Sequence, residues 1–218
     1  MTTVEKPAYK VIGTRPARTD GIDKVTGRAQ FGADVRIPGA LHGRILRSPH
    51  AHANIRGINT ARALALPGVK AVATAQDFCA PGKTLADLPD LATNILAATK
   101  VLYRGHAVAA VVALTDEIAR EALDLIEVDY EVLPVVLDVR ESMQPGAPVL
   151  HQALRTRTPT GPGTEPSNVV AQAHVAFGDA EAAFADCDVV VEGSFSTRMV
   201  HQGYIEPHAA TAMWNSDG

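Results

Sequence analysis

The strongest structural signal in the sequence is an apolar run followed by an amphipathic segment and then an alternating one. Residues 107–114 are apolar without interruption, which suits a strand buried on both faces. Thr115 can cap a helix, and a buried stripe at helical spacing follows it: Ile118, Ala119, Ala122, Leu125 and Ile126. Residues 127–132 alternate as a strand does. Residues 101–132 therefore predict strand–helix–strand, consistent with a βαβ unit.

Weaker patterns predict the remaining elements. Strands are predicted at residues 29–35, 41–47, 53–59, 69–74, 169–177, 188–197 and 209–214. Helices are predicted at residues 61–66, with Thr60 as N-cap, and from Asp179 onward. Residues 79–99 carry little pattern and are predicted to be mostly loop. In the helix after Thr115, i,i+4 spacing pairs Arg120 with both Asp116 and Asp124.

Prolines divide the chain. Residues 133–166 hold six of them: Pro134, Pro145, Pro148, Pro159, Pro162 and Pro166. Proline has no backbone N–H donor, so this composition disfavours long helices and central strands. It predicts a linker at 133–166, between a domain at 20–132 with a lead-in at 1–19 and the beginning of another domain at 167–218. Because residues 215–218 have turn chemistry after a predicted strand, we expect that second domain to be incomplete.

Composition excludes several classes of function. A net charge of -4 with 20 basic residues gives no basic excess, so nucleic acid is not an expected partner. The longest apolar runs are far shorter than the roughly 18 residues that cross a bilayer. No apolar segment follows a basic N-terminus, so we expect no secretory signal and a cytoplasmic location. Cys79 and Cys187 are too far apart in sequence for a CxxC zinc or thioredoxin-type motif.

Two histidine groups contain residue types that can bind a metal. His50 and His52 have a spacing that can ligate a metal from one strand face, but no third ligand follows, so a structural role is favoured. His201, Glu206 and His208 contain the residue types of a facial triad. Their spacing does not suit one helix face and Pro207 interrupts any strand. Three interpretations stay open: a structural turn, which is favoured, a carboxylate that lines a site completed by other segments, or a metal site.

Other catalytic motifs are absent. The Gly-Pro-Gly at 161–163 follows no predicted strand, and its proline removes an amide donor, so it does not predict a phosphate loop. No serine has a nucleophile-elbow context, and neither cysteine has a basic neighbour in sequence. From its residues alone the chain is a binding module or part of a larger enzyme.

Several segments, in order, resemble the molybdenum hydroxylases, the xanthine dehydrogenase and aldehyde oxidase family. They are RTDGIDKVTGRA at 18–29, LRSPHAHA at 46–53, YRGHAVAAV at 103–111, IEVDYEVLP at 126–134, FADCDVVVE at 184–192 and HQGYIEPHAA at 201–210. The resemblance covers nearly the whole chain and places it in the N-terminal part of the molybdopterin-binding catalytic subunit. It implies an α/β (α+β) fold class, with an α/β hammerhead domain followed by the start of a molybdopterin-binding domain.

The resemblance also implies chemistry for the assembled enzyme. That enzyme is a molybdenum-dependent oxidoreductase of a small organic substrate, with molybdopterin in the cytosine dinucleotide form. Iron–sulfur [2Fe–2S] and FAD centres would lie in other subunits or domains, and this chain would need a partner chain or further segments for activity. The alternative is a stand-alone hammerhead module that binds or scaffolds without catalysis.

Few residues of this chain inherit a role from the family. The glycine-rich loop and general-base glutamate that the family carries further on do not occur in this sequence, so no residue is assigned a catalytic or metal-ligating role. The resemblance points to Gln202 and Glu206 as residues near the molybdopterin site. A structural role for Glu206, accepting backbone N–H bonds, is the favoured alternative.

Overall fold

The computed structural model describes residues 9–80, 82–84 and 90–216. They form two compact units: residues 39–193, and residues 9–38 together with 194–216. The described strands are β1 (His42–Arg47), β2 (Ala53–Asn59), β3 (Val69–Thr74), β4 (Lys100–Val101), β5 (Ala107–Ala113), β6 (Glu127–Val132), β7 (Arg155–Thr158) and β8 (Gly161–Pro166). The described α-helices are α1 (Gly21–Val25), α2 (Ala61–Ala65), α3 (Asp90–Ile95), α4 (Asp116–Asp124), α5 (Val139–Ser142) and α6 (Ala180–Ala185).

The larger unit is organised around β5. This strand lies between β1 and β3 in a three-stranded antiparallel sheet, and α4 packs against that sheet. The apolar run that predicted a buried strand is confirmed, because Val108, Ala109, Val111 and Ala113 have no exposed surface. Ala119 and Ala122 of α4 are equally buried against it. Small side chains on both elements let the helix approach the sheet closely.

The βαβ prediction is wrong although its three elements are present. β6 pairs with β2 in a second three-stranded sheet, ordered β4–β2–β6, and not with β5. Every strand ladder is antiparallel among the described residues. Periodicity within a segment identifies the element type, but it does not select the partner strand. Helix α4 therefore connects two sheets, a mixed helix-and-sheet architecture.

Helix α4 has the N-cap residue that the sequence predicts. The Thr115 hydroxyl accepts the Ile118 amide N–H at 3.3 Å. The Asp116 carboxylate pairs with Arg120 at 2.9 Å and with Arg44 of β1, which donates two hydrogen bonds. Asp124 is not part of this network in the described chain. The Asp116 network thus ties the helix to the sheet edge.

Three local predictions are corrected. Residues 29–35 form a 3₁₀ turn, Gly32–Asp34, and not a strand, because the Asp34 carboxylate accepts the Phe31 amide N–H at 3.0 Å and closes the turn. Helix α2 is confirmed, but its N-terminus is capped by Asn59, whose side-chain oxygen accepts from Ala61, and not by the Thr60 hydroxyl. The predicted loop 79–99 contains α3, and its residues 81 and 85–89 lie outside the described chain.

The proline-rich segment holds short elements, as its composition allows. Helix α5 is followed by the β7–β8 hairpin, and Gly161 turns the hairpin with a positive φ of 128°. The Gly-Pro-Gly at 161–163 therefore does follow a strand, contrary to the prediction, but it continues into a second strand and not a helix. Asn168 holds the loop 142–150 by accepting the Leu150 amide and donating to two carbonyls. The predicted domain boundaries remain predictions.

The C-terminal strands predicted at 169–177, 188–197 and 209–214 are wrong for the described chain. One isolated bridge at Ala171 is found there, while α6 is confirmed, with the Asp179 carboxylate accepting the Ala182 amide at 3.0 Å. A helix satisfies its backbone locally, whereas a strand needs a neighbour for its hydrogen bonds. Many apolar side chains of this region are exposed, including Phe177 at 101% and Phe195 at 95%.

None of the helices in the described part of the chain has the length and apolar character that crossing a membrane requires.

Candidate functional site

The histidine pair of the larger unit makes structural contacts. His52 is 4% exposed, and its Nδ1 lies 2.6 Å from the Pro134 carbonyl oxygen, to which it donates. Its Nε2 has no partner among the described residues. His50 instead packs edge-on against Tyr130, with ring centroids 5.0 Å apart. The two rings thus serve different contacts and do not form a metal-binding pair.

A third histidine, His106, is buried, and both of its ring nitrogens contact backbone groups. It is 1% exposed and stacks on Tyr103. Its Nδ1 accepts the Leu102 amide N–H, and its Nε2 lies 3.0 Å from the Thr93 carbonyl oxygen, so the proton resides on Nε2. Burial lowers the pKa of His106. This histidine joins α3 to the start of β5 and has no open nitrogen for a ligand.

A cavity of about 440 Å³ lies between β2 and β3. Part of its polar lining is already paired. The Asp77 carboxylate accepts the backbone and hydroxyl of Thr74 at 2.7 and 3.1 Å, and Arg56 pairs with Glu131 at 3.0 Å. The two charged groups of the lining, Arg56 and Asp77, are thus engaged, and its remaining polar groups are uncharged.

The loop 201–208 of the smaller unit carries the residues that the sequence singled out. The His201 Nδ1 accepts the Gly203 amide N–H at 2.9 Å and fixes the turn at this end of the loop. Gln202 and Glu206 are exposed, and neither side chain has a hydrogen-bond partner in the described chain. The loop is thus held by His201, and the backbone bonds expected for the Glu206 carboxylate are not found. Both candidates are available to a ligand.

A cluster of three or more histidine, cysteine, aspartate or glutamate side chains suited to a metal ion is not found among the described residues. His201, Glu206 and His208 are accordingly not gathered into one such cluster. His208 instead packs edge-on against Tyr204, with ring centroids 6.2 Å apart.

One tertiary contact of this loop was missed by sequence reasoning. Gly32 lies against Ala209, and a Cβ placed on Gly32 would be 3.5 Å from the Ala209 carbonyl oxygen. A glycine inside an otherwise strand-like segment is a signal of close backbone approach. Gly32 within the predicted strand 29–35 carried that signal, but nothing local identified Ala209 as its partner.

Comparison with known families gives two matches in succession. Residues 26–134 match the aldehyde oxidase and xanthine dehydrogenase a/b hammerhead domain. Residues 162–218 match the molybdopterin cofactor-binding domain. The first match covers half of the chain, and the second includes the loop with Gln202 and Glu206.

Curated relatives share about a third of their residues with the chain. The nicotinate dehydrogenase large molybdopterin subunit of Eubacterium barkeri is 32% identical over 211 residues, which are 96% of this chain and 46% of that protein. The carbon monoxide dehydrogenase large chain of Afipia carboxidovorans is 37% identical over 89% of this chain and 24% of that protein. The chain therefore spans less than half the length of either relative.

Solved structures agree with the sequence comparison. Carbon monoxide dehydrogenase from Oligotropha carboxidovorans matches with a TM-score of 0.63 at 35% identity, over 81% of this chain and 22% of that one. Aldehyde oxidoreductase from Desulfovibrio gigas matches with a TM-score of 0.61 at 30% identity, over 81% of this chain and 19% of that one.

Proposed function

Because the chain belongs to the aldehyde oxidase and xanthine dehydrogenase family of molybdenum hydroxylases, we propose that it is part of the molybdopterin-binding subunit of a molybdenum-dependent oxidoreductase. The observation that carries this proposal is the succession of a hammerhead match at 26–134 and a molybdopterin-domain match at 162–218. The substrate is a small organic molecule. Activity requires a partner chain or further segments, since this chain spans 46% or less of these relatives.

The cofactor proposed is molybdopterin, in the cytosine dinucleotide form. The Gln202 amide and the Glu206 carboxylate have no described protein partner, so they can form hydrogen bonds to a cofactor. These two residues suit molybdopterin because the pterin itself supplies ligands to the metal. When bound, the cofactor supplies the redox-active metal that takes electrons from the substrate. Gln202 can donate and accept hydrogen bonds to the pterin, and Glu206 can accept them.

The electrons removed from the substrate need a route away from the site. We therefore propose an iron–sulfur [2Fe–2S] subunit and an FAD subunit as partners, which makes the assembly a hetero-oligomer. Support comes from relatives whose names describe large subunits, such as the nicotine 6-hydroxylase large subunit of Paenarthrobacter nicotinovorans. A cytoplasmic location stays a prediction of the sequence.

The test is native mass spectrometry of the complex purified from its source through a tag on this chain, together with analysis of molybdenum and of the released pterin nucleotide. We expect stoichiometric molybdenum, a pterin dinucleotide and co-purifying iron–sulfur and flavin chains. A folded chain that purifies alone and free of pterin would overturn the proposal. It would favour the stand-alone hammerhead module, which the separate core of residues 39–193 makes physically reasonable.

A further inference from the structure

Two segments that are far apart in the sequence meet in the smaller unit, which joins residues 9–38 to residues 194–216. The two segments come close together at Gly32, where an added Cβ would lie 3.5 Å from the Ala209 carbonyl oxygen and 3.7 Å from the Ala209 Cβ. The turn around Gly32 is closed by the Asp34 carboxylate, which accepts the Phe31 amide N–H. The turn is thus held in place, and because Gly32 has no side chain, its backbone faces the segment that follows Glu206.

We infer that this N-terminal turn positions the loop carrying Gln202 and Glu206, and that Gly32 is the positioning residue. The inference rests on the proposed function, because these two side chains are positioned for the molybdopterin. It adds a role for a segment that lies at the opposite end of the chain from the loop.

The loop depends on contacts at its ends because its middle has little packing. Tyr204 is 65% exposed and Ile205 is 98% exposed, so neither anchors the loop. One end is held by His201, which accepts the Gly203 amide. The other end runs from Glu206 to Ala209, and Pro207 in between has a restricted φ, which reduces the freedom of this short segment. The contact with Gly32 fixes that second end.

A cysteine pair tests the contact directly. The separation of 3.7 Å between the two Cβ positions lies within the range of roughly 3.5–4.5 Å found in disulfides. In the full chain with Cys79→Ala and Cys187→Ala, the pair Gly32→Cys and Ala209→Cys should form an intrachain disulfide under mild oxidation. It is read as a reducible shift on a non-reducing gel.

The matched control is Gly27→Cys with Ala209→Cys. A Cβ at Gly27 has no heavy atom within 4 Å, so this pair should stay reduced. A test pair that stays reduced, or a control pair that crosslinks equally well, would overturn the contact and with it the positioning role.

Two substitutions at Gly32 test the positioning role itself. Gly32→Ala should be tolerated, because its Cβ would stand at ordinary van der Waals distance from Ala209. Gly32→Val adds two methyl groups beyond the alanine Cβ at this contact and should displace the loop. Hydrogen exchange at residues 203–209 should then accelerate in the full chain, while the amides of Lys24 and Thr26 in the same unit exchange at their usual rates and show that α1 is intact. In the assembled complex, molybdopterin content should fall about tenfold, as expected when a supporting contact of a bound centre is lost.

The outcomes separate this inference from the proposed function. Unchanged exchange and unchanged molybdopterin content in Gly32→Val would overturn the positioning role. Faster exchange and lower content in Gly32→Val, but not in Gly32→Ala, would support it. If the wild-type complex holds no molybdopterin, the proposed function fails, and the crosslink and the exchange data still decide whether Gly32 holds the loop.

Discussion

Gly68 is the position where the structure predicts the sharpest cost for a single added methyl group. It precedes β3 with a positive φ of 96°, and its carbonyl accepts the Leu114 amide N–H at 2.9 Å. A Cβ there would lie 2.7 Å from the Cδ1 of Ile118 on α4, which is closer than real carbon contacts. Gly68→Ala therefore combines backbone strain with a steric overlap between strand and helix.

The two contributions can be sized separately. An L-residue at positive φ costs about 1–2 kcal/mol. Overpacking a core contact by one methyl group costs typically 1–3 kcal/mol, and the lower part applies because Cδ1 is the free end of a side chain. We expect Gly68→Ala to lower the free energy of unfolding of the larger unit by about 2–3 kcal/mol, measured by urea denaturation and by hydrogen exchange of β5 amides.

Gly105→Ala is the matched control, because Gly105 has a similar φ of 90° and nothing within 4 Å of an added Cβ. It should cost only the backbone part, about 1–2 kcal/mol. The entropy that alanine removes from the unfolded chain is common to both variants and cancels in the comparison. In an Ile118→Val background, which lacks Cδ1, Gly68→Ala should cost no more than Gly105→Ala does. Equal costs for the two glycines in the wild-type background would refute the reasoning.

Three further predictions follow from polar contacts. Burial lowers the pKa of His106, whose ring donates to the Thr93 carbonyl, so the folded chain binds fewer protons at this group than the unfolded chain does. The stabilisation by neutral His106 is therefore complete above the unfolded pKa of about 6.5 and is lost as the pH falls through the lowered pKa of the folded state. Urea midpoints between pH 8 and pH 5 should show this loss, and His106→Gln should flatten the profile; an equally steep profile in the variant would contradict the assignment. Asp116→Asn should lower the free energy of unfolding only slightly, because its pair with Arg44 is partly exposed, and the loss should shrink in high salt, as a salt series of unfolding curves would reveal. Asn168→Ala should open the loop that this residue holds and accelerate its limited proteolysis, whereas unchanged cleavage would show that the three hydrogen bonds are not what holds it.

Much of the larger unit could be predicted because its signals are local. The apolar run that became β5 and the capped, striped segment that became α4 need no distant partner to be recognised. Asp179 capped α6 for the same reason, since its carboxylate accepts an amide three residues away. The candidate residues Gln202 and Glu206 came from the family resemblance and not from periodicity, and their role at the cofactor stays a proposal.

Two of the errors have the opposite cause, because a strand depends on a partner that is far away in the sequence. Residues 127–132 were correctly predicted as a strand, but β6 pairs with β2, more than 60 residues earlier in the chain. The alternating segment 188–197 has no neighbour to complete a ladder in the described structure, and so it is not a strand. Residues 29–35 became a 3₁₀ turn because the Asp34 side chain competes for a backbone donor that a strand would have used.

The sequence by itself determined that β5 and β6 are extended and that α4 is helical, where helix α4 begins, and to which family the chain is related. Only the tertiary structure decided which sheet receives β6, which side chains surround His52 and His106, and that Gly32 meets Ala209. Helical hydrogen bonds and caps connect residues a few positions apart, so a short stretch of sequence is enough to predict them. Strand pairing and loop contacts connect residues separated by tens to hundreds of positions, so many partners compete and only the packing of the folded chain selects among them.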